Sequence, residues 1–147
     1  MARYAPYDPS PRPWPSLSAA TRRAGPDDAA GIAAIEAERR DVDPAALVDR
    51  IRAALVRGRD KVWVALHQDA IVGYARLIFL EAGIVARRGE ARGVVTGYHL
   101  MGLGVAERVW RRGVGRALTQ VRLDWAAGAG AERVHYTCNA ENAASLA

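Results

Sequence analysis

Residues 97–118 read Gly-Tyr-His-Leu-Met-Gly-Leu-Gly-Val-Ala-Glu-Arg-Val-Trp-Arg-Arg-Gly-Val-Gly-Arg-Ala-Leu, and within that span a strand gives way to a helix. Val94–Val105 is the strand candidate, interrupted by Gly97, Gly102 and Gly104. Glycine inside a strand marks a bulge or a close backbone approach. After a short loop a helix is expected from Gly113 to Ala127, with Val114, Ala117, Leu118, Val121 and Trp125 on one face and Gly128 behind it. A helix start carries about four backbone N–H groups without internal partners, together with the positive end of the macrodipole. Gly113 and Gly115 take away side chains that would hold a ligand off those groups, and Arg111, Arg112 and Arg116 add fixed positive charge. Strand, basic pair, paired glycines and amphipathic helix together build a pyrophosphate cradle that needs no lysine.

Other phosphate-binding patterns fail on spacing. A Walker A loop needs Gly-Lys-Ser/Thr, whereas Lys61 lies between Asp60 and Val62. Gly102-Leu-Gly104 could open a dinucleotide fingerprint, but its third glycine position is Glu107. The net charge of +5 is local as well. Arg108, Arg111, Arg112 and Arg116 lie within nine residues, and the rest of the chain carries 17 basic against 16 acidic side chains. A nucleic-acid-binding module gripping phosphates with this cluster is the rival reading from another class. Against it, the basic residues gather at one loop and no aromatic-rich stacking strand accompanies them.

The remaining chain supplies the layers around that segment. Residues 1–16 hold five prolines and read as an extended arm, since proline interrupts helix and interior strand alike. A strand is expected near Leu17–Arg22, then a helix opened by Pro26-Asp27-Asp28 and running to Arg39, with Ile32 and Ile35 buried. The next helix has Asp43 at its N-cap, Pro44 at its first position, a Leu47-Ile51-Leu55 stripe and Gly58 past its end. Strands Val62–His67 and Ala70–Leu80 are joined by the two-residue turn Gln68-Asp69, and Ala82–Gly93 reads as a surface loop. Arg133–Cys138 is a further strand, and Glu141–Ala147 begins a last helix. The order is β-α-α-β-β-β-α-β-α, an α/β (α+β) chain with a mixed central sheet flanked by helices.

At 147 residues this is one domain, expected to span 17–147 behind the arm. No run of about 18 apolar residues is present for a membrane span. The amino terminus lacks the apolar region of a secretory signal, and Cys138, the single cysteine, fits a reducing cytoplasm.

Leu103-Gly-Val105 followed by Arg111-Arg112-Gly113-Val114-Gly115-Arg116-Ala117-Leu118 resembles the acetyl-CoA motif of the GNAT superfamily of N-acetyltransferases. Asn142-Ala-Ala-Ser-Leu146 resembles that superfamily's second motif. The resemblance implies the GNAT acyl-CoA N-acyltransferase fold, in which the strand ending at Val105 splays from the strand at 133–138. It implies acetyl-CoA as co-substrate. The backbone of Leu103, Gly104 and Val105 would meet pantetheine, the N–H groups of Arg111, Arg112, Gly113, Val114, Gly115 and Arg116 the pyrophosphate, and Asn142 the cofactor from the last helix. A bulge at Gly102 and Gly104 would free an N–H to polarise the thioester carbonyl. The implied reaction is direct attack of a primary amine, on a small molecule or a peptide, in a ternary complex. A non-catalytic CoA-binding protein on the same fold is the alternative, and a homodimer is compatible with either.

Acid and base are less well marked. Relatives place a Tyr or His acid seven residues after the motif Asn, which is position 149, outside the chain. Thr137 and Met101 stand where some relatives carry a glutamate base, and Trp110 stands where the superfamily usually has Gln or Arg. His99 is the base candidate, on the strand leading to the bulge, because imidazole titrates near neutrality; Glu81 and Tyr98 are equally defensible. His67, His99 and His135 are too widely spaced for a metal motif, so no metal is expected. Cys138, three residues from His135, is read as small core filler rather than a nucleophile. Members of the superfamily continue with two more strands, so residues 17–147 are expected to be C-terminally incomplete.

Overall fold

A computed structural model describes residues 15–82, 94–138 and 142. Its strands are β1 (Ala20–Arg23), β2 (Lys61–His67), β3 (Ala70–Leu80), β4 (Gly97–Val105) and β5 (Val134–Tyr136), and its helices α1 (Ala29–Arg40), α2 (Ala45–Arg57) and α3 (Val114–Gly128). The strands form one sheet in the order β1-β2-β3-β4-β5. Every neighbouring pair is antiparallel except β4 and β5, which run parallel and are joined through α3. A parallel pair demands such a crossover, because no tight turn can bring the chain back to the same end of a sheet.

Local chemistry explains the element boundaries. Gln68 and Asp69 both adopt positive φ, +50° and +61°, the pairing that a two-residue hairpin of matching twist requires. The Asp43 carboxylate accepts the Ala45 N–H at 2.9 Å at the start of α2, and Gly58 ends that helix at φ +62°. Ahead of α1 a single 3-10 turn, Pro26–Asp28, is fixed by Asp28, which accepts the Gly25 N–H at 2.8 Å and two bonds from Arg22 at 2.7 and 2.8 Å. The guanidinium of Arg22 holds the Asp28 carboxyl below its ordinary value. A carboxyl depressed on folding stabilises the protein above its unfolded pKa of about 3.9, and the contribution disappears as pH falls through the lower folded value. Asp28→Asn is therefore expected to melt below the wild type at pH 7, with the difference closing in melts taken below about pH 4. An equal gap at both pH values would refute the linkage.

The sheet is covered on both faces. Gly73 faces α3, where an added Cβ would lie 2.9 Å from Leu118 and 3.0 Å from Val114, and Gly31 of α1 packs against Ile71 on the other side. Among the described residues, Leu77, Leu118, Val64, Val72 and Val114 are the largest fully buried side chains. Under α3 an aromatic row continues from Trp63 through Trp125 to Tyr98 and Phe79, with centroid separations of 6.1, 5.6 and 5.1 Å and edge-on geometry throughout.

Differences from the sequence reading sit at element ends. β4 begins at Gly97 rather than Val94, β1 begins three residues later than expected and ends one later, and β5 spans three residues rather than six. Cys138 accordingly falls outside β5 and is half-buried, so it is not a core residue. The arm as far as residue 14, most of the loop 82–93 and the helix expected at 141–147 lie outside the described residues, apart from Asn142. Where the arm comes into view it is tied down. Leu17 N–H donates to the Arg112 carbonyl at 2.7 Å, and Arg112 Nε donates to the Pro15 carbonyl at 3.3 Å.

Candidate active site

The expected bulge is present. Tyr74 pairs with Gly104 and Arg76 with Met101, so three steps along β4 oppose two along β3. Gly102 takes up the extra residue at φ +52°, in the left-handed region that glycine reaches without strain. Gly104 is required for a different reason: a Cβ there would collide with the Tyr74 ring. Bulge and ring contact together account for both strand glycines.

Beside the bulge β4 is no longer paired to β5. β4 and β5 pair at Tyr98–Val134, His99–His135 and Leu100–Tyr136, the last pair among the described residues. Ala106 N–H donates to Val72 on the β3 side at 3.0 Å. By the alternation of a strand, the backbone groups of Leu103 and Val105 then point away from β3, into the space between β4 and β5. The Trp110 indole N–H closes the far end of that edge, donating to the Val105 carbonyl at 2.8 Å. Trp110, which departs from the superfamily pattern, thereby folds the loop back onto β4.

The start of α3 lies next along the chain. Its first helical bond runs from Ala117 N–H to the Gly113 carbonyl at 3.0 Å. The N–H groups of Val114, Gly115 and Arg116 precede it and are the donors of an open helix start. Arg111 and Gly113 adopt positive φ, +62° and +90°, and so turn the loop into the helix. Gly115 is less constrained, because a Cβ there would make only ordinary contacts with Leu103 and Val105 at 3.7 and 3.9 Å. Those contacts also show how closely the helix start lies over the end of β4. Arg108 and Arg116 are exposed, whereas Arg112 turns its Nε to Pro15.

His99 is buried on β4, and its Nε2 lies 2.7 Å from the Val95 carbonyl. A carbonyl can only accept, so Nε2 carries the proton and Nδ1 is the basic nitrogen of the neutral ring. Its ring lies 4.9 Å from that of His135, its register partner across the parallel pair. Asn142 is half-buried, and its carbonyl is 3.9 Å from Cys138 Sγ. Among the described residues no cluster of three or more His, Cys, Asp or Glu could hold a metal ion, and no helix is long and apolar enough to cross a membrane.

Two buried polar groups escape a reading of the sequence alone. Glu36 of α1 accepts a hydrogen bond from the Tyr74 hydroxyl and pairs with Arg39 at 3.3 Å and with Arg40. Burial, reinforced by Glu36, raises the Tyr74 hydroxyl far above its ordinary value, so it stays protonated and donating. This pair anchors α1 to the residue that packs beneath Gly104. Arg122 of α3 is 2% exposed and reaches across to β3 and β4. The signal for both was their spacing: Glu36 follows Ile32 by four residues and Arg122 follows Leu118 by four, each continuing an apolar stripe with a charge.

Comparison with known proteins places this architecture. Residues 29–147 match the model of the acetyltransferase (GNAT) family. The chain belongs to that family and is an acyltransferase by membership. Its fold is shared with solved acetyltransferases. A ribosomal-protein-alanine N-acetyltransferase from Brucella melitensis biovar Abortus 2308 is 13% identical with a TM-score of 0.64, over 84% of this chain and 82% of that one. The aminoglycoside N-acetyltransferase AAC(6')-Iy in complex with CoA is 14% identical with a TM-score of 0.65, over 86% and 84%. An acetyltransferase from Trypanosoma brucei is 18% identical with a TM-score of 0.60, over 84% and 85%. At such identities the likeness is one of fold. Among curated proteins none matches the sequence.

Proposed function

We propose that this chain transfers the acetyl group of acetyl-CoA to a primary amine of a small molecule or peptide, by direct attack in a ternary complex. The observation that carries the reading is the conjunction of the opened β4–β5 edge with the glycine-bearing start of α3 directly above it. An extended pantetheine arm fits an edge whose Leu103 and Val105 backbone groups point outward, as a strand would. A pyrophosphate fits the N–H groups of Val114, Gly115 and Arg116, with Arg108 and Arg116 exposed nearby. Bound there, acetyl-CoA supplies an activated acyl group. The AAC(6')-Iy relative holding CoA on the same fold supports that choice of ligand.

Within this reading the bulge frees one backbone N–H, that of Leu103, to polarise the thioester carbonyl, where charge develops as the amine adds. His99 Nδ1 is the group proposed to take the amine proton. A second reading, CoA binding without transfer, is favoured by one observation: His99 is buried and already bound to Val95 through its other ring nitrogen.

Calorimetric melts give the first test. Acetyl-CoA at a hundred times its dissociation constant should stabilise the protein by about 2.7 kcal/mol, a rise of roughly 5–10 °C in melting temperature for a domain of this size. Thiol release across a panel of amines then separates transfer from binding alone. An unchanged melting temperature at millimolar acetyl-CoA would sink both readings.

A further inference from the structure

One side chain ties together the two halves of the site. Arg122 lies on the buried stripe of α3 between Leu118 and Ala126, where an aliphatic residue would simply continue the core. Instead its guanidinium makes four bonds. Nε donates to the Leu118 carbonyl at 3.0 Å and Nη2 to Thr119 Oγ1 at 3.1 Å, both on its own helix. Nη1 donates to the Arg76 carbonyl of β3 at 3.0 Å and to the Met101 carbonyl of β4 at 3.4 Å. Arg76 and Met101 are the register pair at which the bulge begins.

That placement has a physical reason. A bulge disrupts the ladder locally and leaves backbone groups without a strand partner. A carbonyl out of reach of water is unfavourable unless something donates to it, and a bulge is where the ladder supplies fewest donors. The rigid guanidinium fork can serve carbonyls on two strands at once while remaining bonded to its helix. Burial lowers the Arg122 pKa to about 10, so it is still charged at neutral pH. Helix α3 then acts as a stiff spacer, with Val114 and Arg122 about 12 Å apart along its axis at 1.5 Å per residue.

We propose that Arg122 is a positioning residue for acyl transfer, fixing the bulge backbone at residues 101–104 at a set distance from the helix-start donors at residues 114–116. The proposal rests on the acetyltransferase reading. It assigns Arg122 no contact with substrate; it acts through the bulge.

Arg122→Met and Arg122→Lys, compared with wild type, test it in three measurements. The first is hydrogen exchange of the unliganded protein. In the Met variant, amides of 75–77 and 101–104 should exchange at least about tenfold faster while those of β1 and α2 keep their protection. The second is the infrared carbonyl stretch of bound acetyl-CoA, which should move back toward its solution frequency in the Met variant, with CoA affinity within about threefold of wild type. The third is turnover with whichever amine the panel identifies: kcat should fall on the order of a hundredfold with a smaller change in KM, as when an oxyanion donor is misplaced. The Lys variant, able to reach fewer carbonyls, should fall between.

A variant that melts earlier yet keeps the carbonyl frequency and the kcat per folded molecule would show Arg122 to be structural only and overturn the proposal. Uniformly faster exchange with parallel loss of CoA affinity would overturn it too. Failure of the wild type to bind acetyl-CoA would refute the underlying reading, and is seen before any variant is made.

Discussion

Gly113→Glu is expected to weaken acetyl-CoA binding by at least about a hundredfold, a loss of roughly 2.7 kcal/mol. Two effects add at this position. Gly113 adopts φ +90°, where a side chain bearing a Cβ is strained by about 1–2 kcal/mol. The new carboxylate would also stand at the open start of α3, taking the place proposed for the pyrophosphate and repelling it. Gly113→Asn separates the two, since Asn tolerates the left-handed region and brings no charge. Calorimetry should find it within about tenfold of wild type. Normal binding by Gly113→Glu would show that the pyrophosphate lies elsewhere.

The second large effect is on stability. Glu36→Ala removes the acceptor of the Tyr74 hydroxyl and the ion-pair partner of Arg39 and Arg40. Tyr74 is 6% exposed, so its hydroxyl would be left with little access to water. Breaking a buried polar pair from one side costs about 3 kcal/mol, which lowers the melting temperature of a domain this size by roughly 6–12 °C. Removing both partners, with Glu36→Leu and Tyr74→Phe together, should recover part of that loss, because the buried hydroxyl is then gone, while Arg39 loses both Glu36 and that hydroxyl and must turn to water. A melting temperature for Glu36→Ala within 2 °C or so of wild type, about 1 kcal/mol or less, would mean that the pair contributes little.

The two variants probe features of unequal visibility in the sequence. Gly113 could be read locally: the strand, the loop and the helix that define it lie within about twenty consecutive residues, and each element's period is set by near neighbours. The same holds for the hairpin at Gln68-Asp69, for the α2 caps at Asp43 and Gly58, and for the bulge that Gly102 and Gly104 announced. Glu36 and Arg122 could not be read that way. Tyr74 is 38 residues from Glu36, and Arg76 is 46 from Arg122, so their bonds exist only once the sheet has brought α1 and α3 onto its two faces. A charge on an apolar stripe is a visible oddity in the sequence, but its partners are a property of the tertiary fold. His99 falls between these cases. Its strand and its proximity to the bulge were legible, whereas the bond to Val95 and the ring contact with His135 were not.

The end of β4–β5 pairing at Leu100 and Tyr136, among the described residues, also bears on how this protein behaves in a crowded solution. A sheet ordinarily offers unpaired backbone only along its two outer strands, which evolution shortens, charges or covers. Here an additional border runs through the interior of the sheet, with the Leu103 and Val105 amides facing along it. Any extended polypeptide of suitable width presents the complementary hydrogen-bonding pattern, so strand addition from another molecule competes for the same border. On the proposed function, acetyl-CoA bound along this border would then do more than await reaction: it would shield the fold from self-association.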